Sequence, residues 1–580
     1  MEAEVIASSR VKPHWLGSGD KFWYRIELPE NKYEFILVDA ANGSCQRGLS
    51  EDTLTQKVKQ LTGETPDLAS LTGNDPEWNG PLHNDNLKGT FPTEEMPSPY
   101  AATEVSLRFV NKCGCAITVQ WIDHSAEPVS YGTINAGDSK LLTTWQGHLW
   151  RLSGQGEGPL SKLLYAAPKS EDNDVLVIND ELLHDGEGVG RSKHEMTFPH
   201  VFIRENSIWA TYEDGSEGKV SGDDDSTDVY DKERIYISPD RKHVVVWRYT
   251  PEQEHKVYLL ESSPTDQLQP KMHTLQYLKP GNQVQIDRPR LFDLVQRKEI
   301  TTDDSLFRNP YGLTNAGWDK SSKEYRFIFN ERGHQHLRVI AMAVDGGVRA
   351  LVEESSPTFI DYSTKLYRHI MLDTDEMIWA SERDGWNHLY LFDLAQGCLK
   401  NQITIGEWLV RSVDRIDEEK RQIWFTSYGI VKGQDPYYAQ LARVNFDGSG
   451  LTVLTDGDGT HTWQWSPDRR FLIDTWARVD CPPQTVLRNG ETGAKMLTVE
   501  ESRLARLVDA QWNAPELLST TGRDGATMIY GVIIRPADFD AKRKYPILEE
   551  MYAARWHGHK LAIKGLSRRV LQESPGCGIS

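Results

Sequence analysis

The amino-acid sequence predicts a mostly β protein, a β-propeller into which a small β-sandwich is inserted. The first observation is the aromatic content, because 18 Trp, 22 Tyr and 16 Phe among 580 residues favour strands over helices. The second is a repeat in which an aspartate-containing turn precedes an aromatic strand. Successive turns at Asp319, Asp373, Asp417 and Asp468 are 54, 44 and 51 residues apart. A unit of about fifty residues with four short strands is typical of a propeller blade.

One copy of the repeat, residues 378–393, shows how each unit is built. Ile378-Trp-Ala380 and His388-Leu-Tyr-Leu-Phe392 are apolar, strand-like runs, and Arg383-Asp-Gly385 between them is a turn. Two such runs joined by a short turn that contains glycine predict a β-hairpin. A lone hairpin cannot bury its apolar face, so further copies must stand alongside it.

Charge and composition exclude several kinds of partner. The formal charge of −20, from 65 basic and 85 acidic residues, repels phosphate backbones and anionic membranes, so we expect no nucleic-acid and no membrane partner. We find no signal peptide pattern and no run of 18 apolar residues, which predicts a cytoplasmic protein. The six cysteines are scattered, and Cys113-Gly-Cys115 lacks the spacing of a zinc site. Neither a metal nor a cofactor is expected.

Residues 1–100 are expected to hold the first propeller strands and a polar linker. Phe22-Trp-Tyr-Arg25 and Glu34-Phe-Ile-Leu-Val-Asp39 are strand-like runs. Residues 46–100 are rich in Pro, Gly, Asn and Asp, which predicts little regular structure.

Residues 101–160 are expected to form the inserted sandwich. Val105–Val110, Ile117–Ile122 and Leu141–Thr144 are β-like runs separated by turns that contain Asn, Gly and Asp. About fifty residues of this kind suit a small two-sheet domain.

Residues 161–514 are expected to form the rest of the propeller. The turn at Asp240 lies 79 residues before Asp319, which indicates an insertion in that blade. The aromatic or apolar strands that follow the turns are Val244–Trp247, Tyr325–Phe329, Gln422–Phe425 and Phe471–Trp476.

Residues 515–580 have a different pattern. Ile529–Ile534 and Lys544–Tyr552 are predicted strands, and the second is apolar on both faces as in a covered sheet. Residues 553–580 are basic and show no clear periodicity.

Six stretches of the chain carry a family resemblance: Trp15–Tyr24, Ser381–Tyr390, Asp435–Tyr438, Gly531–Pro536, Lys544–Pro546 and Tyr552–Ala553. They resemble the dipeptidyl peptidase IV branch of the prolyl oligopeptidase family of serine peptidases. The resemblance implies an eight-bladed propeller that limits access to short, often proline-containing peptides, placed over an α/β-hydrolase domain with catalytic Ser, Asp and His. Residues 515–580 would be the start of that domain. The tyrosine matching Tyr552 helps hold the oxyanion of the intermediate.

The chain departs from this family at the catalytic residues. No Gly-x-Ser-x-Gly motif occurs in the 580 residues, and only 28 residues follow Tyr552. The nucleophile, Asp and His are therefore absent, and we expect this chain not to hydrolyse peptides. Aminodipeptidases of the family hold the substrate ammonium with a Glu-Glu pair. The pairs here, at Glu353-Glu354, Glu418-Glu419 and Glu549-Glu550, lack that context and are predicted to be solvated turn or strand-end residues.

Residues 105–154 carry a second resemblance, to the β-domain of the von Hippel-Lindau protein, through Trp121-Ile-Asp123, Glu127-Pro128, Tyr131–Ile134 and Thr144–Trp150. The resemblance implies a peptide-binding pocket for hydroxyproline made of Tyr131, Thr144, His148 and Trp150. Aromatic faces would hold the ring, while a hydroxyl and an imidazole would bond the added hydroxyl. The alternative is that Tyr131 and Trp150 are sandwich core and His148 is structural. His388 and His461 are likewise predicted to bond neighbouring turns.

The sequence leaves two functional hypotheses open. The first is a dipeptidyl peptidase IV-like serine peptidase family member, acting in proteolysis but inactive as this chain. The second is a non-catalytic scaffold that binds a peptide or protein and recognises proline or hydroxyproline through the inserted β-domain. The predicted strand near the end would leave an unpaired edge, so a homodimer or a covering partner is expected.

Overall fold

The computed structural model describes residues 11–63, 66, 104–178, 198–502 and 513–548, with gaps at 18, 29–31, 114–115, 123–127, 137, 146–147, 155–161, 167–173, 222–226 and 537. The chain is mostly β, with 53% strand and 4% helix, which confirms the predicted class. It divides into two compact units, a larger one of residues 1–65 and 198–580 and a smaller one of residues 66–197. No helix in these described ranges is long and apolar enough to cross a bilayer.

The larger unit begins with a four-stranded antiparallel sheet, called the first sheet. Its strands, in spatial order, are β1 (His14–Leu16), β2 (Lys21–Leu28), β3 (Lys32–Asp39) and β4 (Ser44–Leu49). The predicted strands Phe22–Arg25 and Glu34–Asp39 lie within β2 and β3.

The helix α1 (Glu51–Thr62) follows the first sheet and corrects the expectation of little regular structure from residue 46. Ser50 caps it by accepting a hydrogen bond from the Thr53 amide, and Gly63 ends it in the left-handed conformation. Leu54 and Val58, four residues apart, are its buried side chains. The rest of the segment is polar, so its composition did not indicate that these two apolar residues form one face of a helix.

The smaller unit is a sandwich of two sheets, as predicted. Its strands are β5 (Glu104–Asn111), β6 (Ile117–Ile122), β7 (Pro128–Ile134), β8 (Ser139–Trp145), β9 (Leu149–Gly154), β10 (Lys162–Ala166) and β11 (Asp174–Ile178). One sheet has the order β10-β9-β6-β7 and the other β11-β5-β8, so two strands beyond the predicted range of 101–160 take part. Phe109, Val119, Trp150 and Leu176 are buried between them.

The second and third sheets of the larger unit follow residue 197. β12 (His200–Arg204), β13 (Ser207–Thr211) and β14 (Glu217–Lys219) form the second sheet. Next come β15 (Val229–Ile237) and β16 (His243–Thr250), a separate hairpin of β17 (Lys256–Glu261) and β18 (Lys271–Gln276), and then β19 (Ile286–Asp293) and β20 (Lys298–Ile300). The third sheet has the order β15-β16-β19-β20, so the hairpin is the insertion that the 79-residue gap indicated.

Four more antiparallel sheets are formed by consecutive strands, after a short 3₁₀ helix at Asp304–Phe307. The fourth sheet contains β21 (Pro310–Trp318), β22 (Glu324–Glu331), β23 (His336–Ala343) and β24 (Val348–Ser355). The fifth contains β25 (Arg368–Met371), β26 (Glu376–Ser381), β27 (His388–Asp393) and β28 (Cys398–Gln402). The sixth contains β29 (Leu409–Asp417), β30 (Gln422–Tyr428), β31 (Ala439–Asn445) and β32 (Thr452–Val453). The seventh contains β33 (Thr460–Trp465), β34 (Phe471–Ala477), β35 (Gln484–Asn489) and β36 (Lys495–Glu501).

The predicted hairpin of residues 378–393 is present as β26 and β27, with Ser381 opposite His388. Gly385 in its turn has a φ of +97°, a conformation that favours glycine. Every residue of β26 is buried, so this strand can exist only with sheets packed on both of its faces.

Neighbouring sheets share hydrophobic cores in chain order, from the second sheet to the seventh, and the seventh also packs against the first. The first and seventh sheets therefore lie side by side, although their strands are more than 400 residues apart in sequence. Buried residues of the successive pairs are Ala210 with Val244, Trp247 with Tyr325, Val339 with Trp379, Leu389 with Phe425, Trp424 with Leu472, and Ile473 with Phe22.

The last described strands are β37 (Glu516–Thr521) and β38 (Met528–Ile533), which form a two-stranded sheet. The predicted strand from Lys544 is wrong over residues 544–548, which have no strand structure. Ile547 and Leu548 are 90% and 98% exposed, because no neighbouring strand among the described residues offers them a ladder or a core. Residues 549–552 of that predicted strand, and with them Tyr552, lie outside the described residues.

Candidate functional site

The residues predicted to form a peptide-binding pocket lie in the smaller unit. Tyr131 is on β7 and Thr144 on β8, while His148 and Trp150 stand before and within β9. β7 and β9 belong to one sheet of the sandwich and β8 to the other. The alternation of side chains along a strand decides which of these residues point between the sheets.

Aromatic contacts form two pairs in this group, and strand pairing places the two pairs side by side. The rings of Tyr131 and Trp150 meet edge to face at 5.0 Å, and His148 stacks on Trp121 at 5.0 Å. Trp121 and Trp150 are directly opposite each other on β6 and β9. Trp121 was missed as a pocket residue, although it stands in the Trp121-Ile-Asp123 motif that supported the resemblance.

The residues of this group differ in how much of each side chain is exposed to solvent. Tyr131 is 38% exposed, whereas Trp150 and His148 are 1% and 4% exposed. Trp150 also packs on Phe109 in the sandwich core at 5.8 Å. Trp150 is therefore part of the core, as the alternative interpretation holds, and Tyr131 gives it one solvent-facing neighbour.

Two buried polar atoms of this group are not satisfied within the described residues. Thr144 is 1% exposed, and neither its Oγ1 nor the Nε1 of Trp150 has a hydrogen-bond partner there. Buried polar groups are nearly always bonded, and an unmade bond costs about 1–3 kcal/mol. These two atoms therefore retain unused hydrogen-bonding capacity, one as a donor or acceptor and the other as a donor.

A cavity of about 280 Å³ opens in the larger unit between the fourth and fifth sheets. Glu354, Phe359, Asp361, Lys365, Glu382 and Arg383 are among its lining residues. Lys365 donates to Glu382 at 2.5 Å, and Arg383 bonds to Glu354 while its guanidinium lies over the rings of Tyr390 and Phe392 at 4.8 and 5.3 Å. Lys365 and Arg383 therefore neutralise Glu382 and Glu354, while Asp361 accepts hydrogen bonds from the hydroxyls of Ser363 and Thr364.

Glu354 corrects one expectation from the sequence. Its side chain is 11% exposed and accepts hydrogen bonds from Trp379 Nε1 at 3.0 Å and Ser381 Oγ at 2.9 Å, so it is a partly buried structural acceptor rather than a solvated strand end. Glu353 is exposed and bonds to Arg338, and the exposed Glu418 bonds to His369. The pair Glu549-Glu550 lies outside the described residues.

His388 and His461, in the larger unit, each bond a glycine carbonyl of a neighbouring turn, as predicted. Thr404 Oγ1 accepts from the Leu389 amide and lies 2.9 Å from His388 Nδ1, while His388 Nε2 lies 3.0 Å from the Gly406 carbonyl. His461 is held between Asp474 and the Gly457 carbonyl. In the described ranges, no cluster of three or more His, Cys, Asp or Glu side chains could hold a metal ion.

Comparison with known proteins confirms both family resemblances. Residues 201–483 match the sequence model described as the dipeptidyl peptidase IV (DPP IV) N-terminal region. Residues 98–159 match the model described as the VHL beta domain.

Three individual proteins each align with part of this chain, at identities below 30%. A dipeptidyl-aminopeptidase B of Aspergillus niger is 29% identical over 175 residues, 29% of this chain and 19% of the relative. A probable dipeptidyl-aminopeptidase B of Chaetomium globosum is 23% identical over 313 residues, 50% of this chain and 33% of the relative. The chain thus spans between a fifth and a third of these curated relatives. The crystal structure of Porphyromonas gingivalis dipeptidyl peptidase 4 aligns with 60% of this chain and 50% of its own, with 17% identity and a TM-score of 0.42.

Proposed function

We propose that this chain, whose larger unit resembles the dipeptidyl peptidase IV branch of serine peptidases, is a peptide-gating propeller that does not itself cleave peptides. In this proposal, residues 1–65 and 198–514 supply a propeller to which the seven described sheets belong, residues 66–197 contain the inserted β-domain, and residues 515–580 begin a hydrolase domain. Its ligand is a short peptide or an extended protein segment.

The packing of the sheets is the observation that carries this proposal. Consecutive sheets from the second to the seventh share hydrophobic cores, and the seventh shares one with the first, an order that the blades of a propeller would have. Polar contacts reinforce that junction, since Tyr24 Oη donates to the Val499 carbonyl at 3.1 Å and Arg47 donates to Glu500 at 2.6 Å. A ring of this kind presents loops from every blade around one opening, where a peptide can be held.

The non-catalytic part of the proposal rests on the sequence. A serine peptidase of this class needs a nucleophilic serine on a sharp turn and a histidine within hydrogen-bond reach of it. The 580 residues contain no Gly-x-Ser-x-Gly motif. In the cleft between the fourth and fifth sheets, Glu382 and Glu354 are already bonded to Lys365 and Arg383, so these two carboxylates give no support for capture of a peptide ammonium there.

Two assays on the purified 580-residue chain test the proposal. A fluorophosphonate probe and a chromogenic proline-containing dipeptide should give neither labelling nor hydrolysis, and either signal would contradict the non-catalytic part. A fluorescent proline-containing peptide should show saturable binding by anisotropy. Binding equal to that of the heat-denatured chain would contradict the gating part.

We infer a second function for the smaller unit, recognition of a hydroxyproline-containing peptide. The unsatisfied Thr144 Oγ1 and Trp150 Nε1 favour it, because a hydroxylated ring seated against Tyr131 would supply the missing bonds. A peptide with plain proline would leave the threonine hydroxyl unpaired.

Calorimetry with matched peptides tests this second function. A hydroxyproline peptide should bind ~10- to 100-fold more tightly than its proline counterpart, and Thr144→Val should remove most of that difference. Thr133→Val, at an exposed position on β7, is the matched control and should leave it intact. Equal affinity for the two peptides would mean that Tyr131, His148 and Trp150 serve only the sandwich.

A further inference from the structure

The cleft between the fourth and fifth sheets has room for a small ligand. Its cavity of about 280 Å³ has the volume of about nine water molecules at ~30 Å³ each, which is enough for one sugar ring. A second cavity of about 270 Å³ adjoins it, and both cavities are lined by Phe359, Asp361, Lys365 and Glu382. A ligand larger than one ring could therefore extend past these residues from the first cavity into the second.

The charged side chains of the cleft are already compensated. Among the described residues that line it, the two basic side chains, Lys365 and Arg383, bond to two of the three carboxylates. The third carboxylate, Asp361, accepts four hydrogen bonds from the amides and hydroxyls of Ser363 and Thr364. An ion would have to compete with these bonds, whereas a neutral ligand can leave them in place. The charge of the cleft therefore favours a neutral ligand.

Hydrogen-bonding capacity remains in the cleft in spite of this pairing. Asn387, which is 5% exposed, donates from Nδ2 to the Val410 carbonyl at 2.8 Å, but its Oδ1 accepts no hydrogen bond from the described residues. Lys365 and Glu382 use one N–H and one oxygen for each other, which leaves two N–H donors and one acceptor oxygen. The cleft thus offers a buried acceptor, and it offers donors and acceptors together at the place where the two cavities adjoin.

Apolar side chains line the same cavity. Leu337, Ile360 and Leu366 belong to or pack against the hydrophobic core that the fourth and fifth sheets share, so their positions are fixed by the fold. The Phe359 ring meets His334 edge to face at 5.5 Å. Such a mixed lining suits a ligand that has an apolar face and a polar rim. A pyranose has both, because its C–H groups form a face and its hydroxyls form the rim.

We propose that this cleft binds a neutral carbohydrate, with one sugar ring in the first cavity and a following ring in the second. A hydroxyl both accepts and donates, so one sugar hydroxyl can accept from Lys365 and donate to Glu382 without separating them. Another can donate to Asn387 Oδ1, while the C–H face packs on Phe359. An ammonium offers Lys365 no acceptor, and a carboxylate offers Glu382 and Asn387 no donor.

Saturation-transfer NMR on the 580-residue chain gives the first test, with glucose, mannose, galactose, maltose and cellobiose as millimolar probes. At least one of these sugars should receive saturation, and Lys365→Met should weaken its binding at least ~10-fold, because methionine is apolar and has no N–H donor. Lys320→Met is the matched control and should leave binding unchanged, since Lys320 also pairs with a carboxylate, Asp373, but lies outside the cleft. Absence of saturation in all five sugars, or equal effects of the two variants, would overturn the proposal.

Charged derivatives of the sugar that binds separate a neutral ligand from an ionic one. Its amino-sugar and uronic-acid forms should both bind more weakly than the neutral sugar, and tighter binding of either would overturn the neutral class. Glu382→Gln should also weaken binding of the neutral sugar. Lys365 and Glu382 are 38% and 41% exposed, so neither Lys365→Met nor Glu382→Gln should move the unfolding temperature by more than a few degrees. Lost binding in a folded variant then reports on the cleft itself.

Discussion

Glu376 gives the most direct test of how the fifth and sixth sheets are held together. It begins β26, its side chain is 4% exposed, and it accepts hydrogen bonds from Lys400 Nζ at 2.6 Å and from Arg421 Nη1 at 2.7 Å. Lys400 belongs to β28 of its own sheet, whereas Arg421 precedes β30 of the next sheet. Burial alone would raise the pKa of the Glu376 carboxyl, but the bonds from Arg421 and Lys400 outweigh burial and lower that pKa to about 2.

The substitution Glu376→Gln should lower the free energy of unfolding by about 2 kcal/mol at pH 7. The pKa shift by itself corresponds to ~3 kcal/mol, and the partial exposure of Lys400 and Arg421 reduces that value. Because the folded pKa is depressed, this stabilisation is complete above the unfolded pKa of ~4.3 and is lost as the pH falls toward 2. The difference in the free energy of unfolding between the unaltered chain and the Glu376→Gln variant should therefore shrink as the pH falls through this range.

Hydrogen exchange of the β26 and β30 amides, measured between pH 7 and pH 3 and corrected for the intrinsic rates, follows this stability locally. A local probe is needed because a chain of two units need not unfold in one step. Glu382→Gln is the control, since Glu382 is 41% exposed and its bond to Lys365 is worth less than ~1 kcal/mol. An effect of Glu376→Gln as small as that of the control, or one that does not change with pH, would refute the reasoning.

Three further substitutions test the core of the larger unit. Asp474→Asn removes the carboxylate that His461 and Arg488 each contact at 2.8 Å. The free energy of unfolding, measured by thermal unfolding, should fall by about 3–5 kcal/mol. Phe22 belongs to the core that the first sheet shares with the seventh, so Phe22→Ala should lower the free energy of unfolding by about 3–5 kcal/mol and speed proteolysis within the first sheet. Tyr33→Ala, at an exposed position, is the control and should change neither. Leu54→Ala should lower the free energy of unfolding by about 2–5 kcal/mol and raise the rate of hydrogen exchange throughout α1. Unchanged exchange in α1 would contradict the packing of this helix through Leu54.

The hairpins of the larger unit could be predicted because their information is local. A glycine-containing turn between two apolar runs selects a hairpin whatever lies around it, and β26 and β27 formed where the pattern placed them. α1 was missed because only Ser50, Leu54 and Val58 mark it within a polar segment. The strand predicted from Lys544 failed over its described part because an apolar run becomes a strand only beside another strand.

The sequence by itself determined the β class, the repeat, the inserted sandwich and both family resemblances, since strand period, turn chemistry and motif spacing are properties of short segments. Only the tertiary structure decided that Glu354 is partly buried, that Trp121 stacks on His148, and that Thr144 and Trp150 keep polar atoms without a partner among the described residues. It also decided that the hairpin of β17 and β18 carries exposed apolar side chains. These facts depend on which sheet faces pack together, and packing joins residues too distant in sequence for a local pattern to specify.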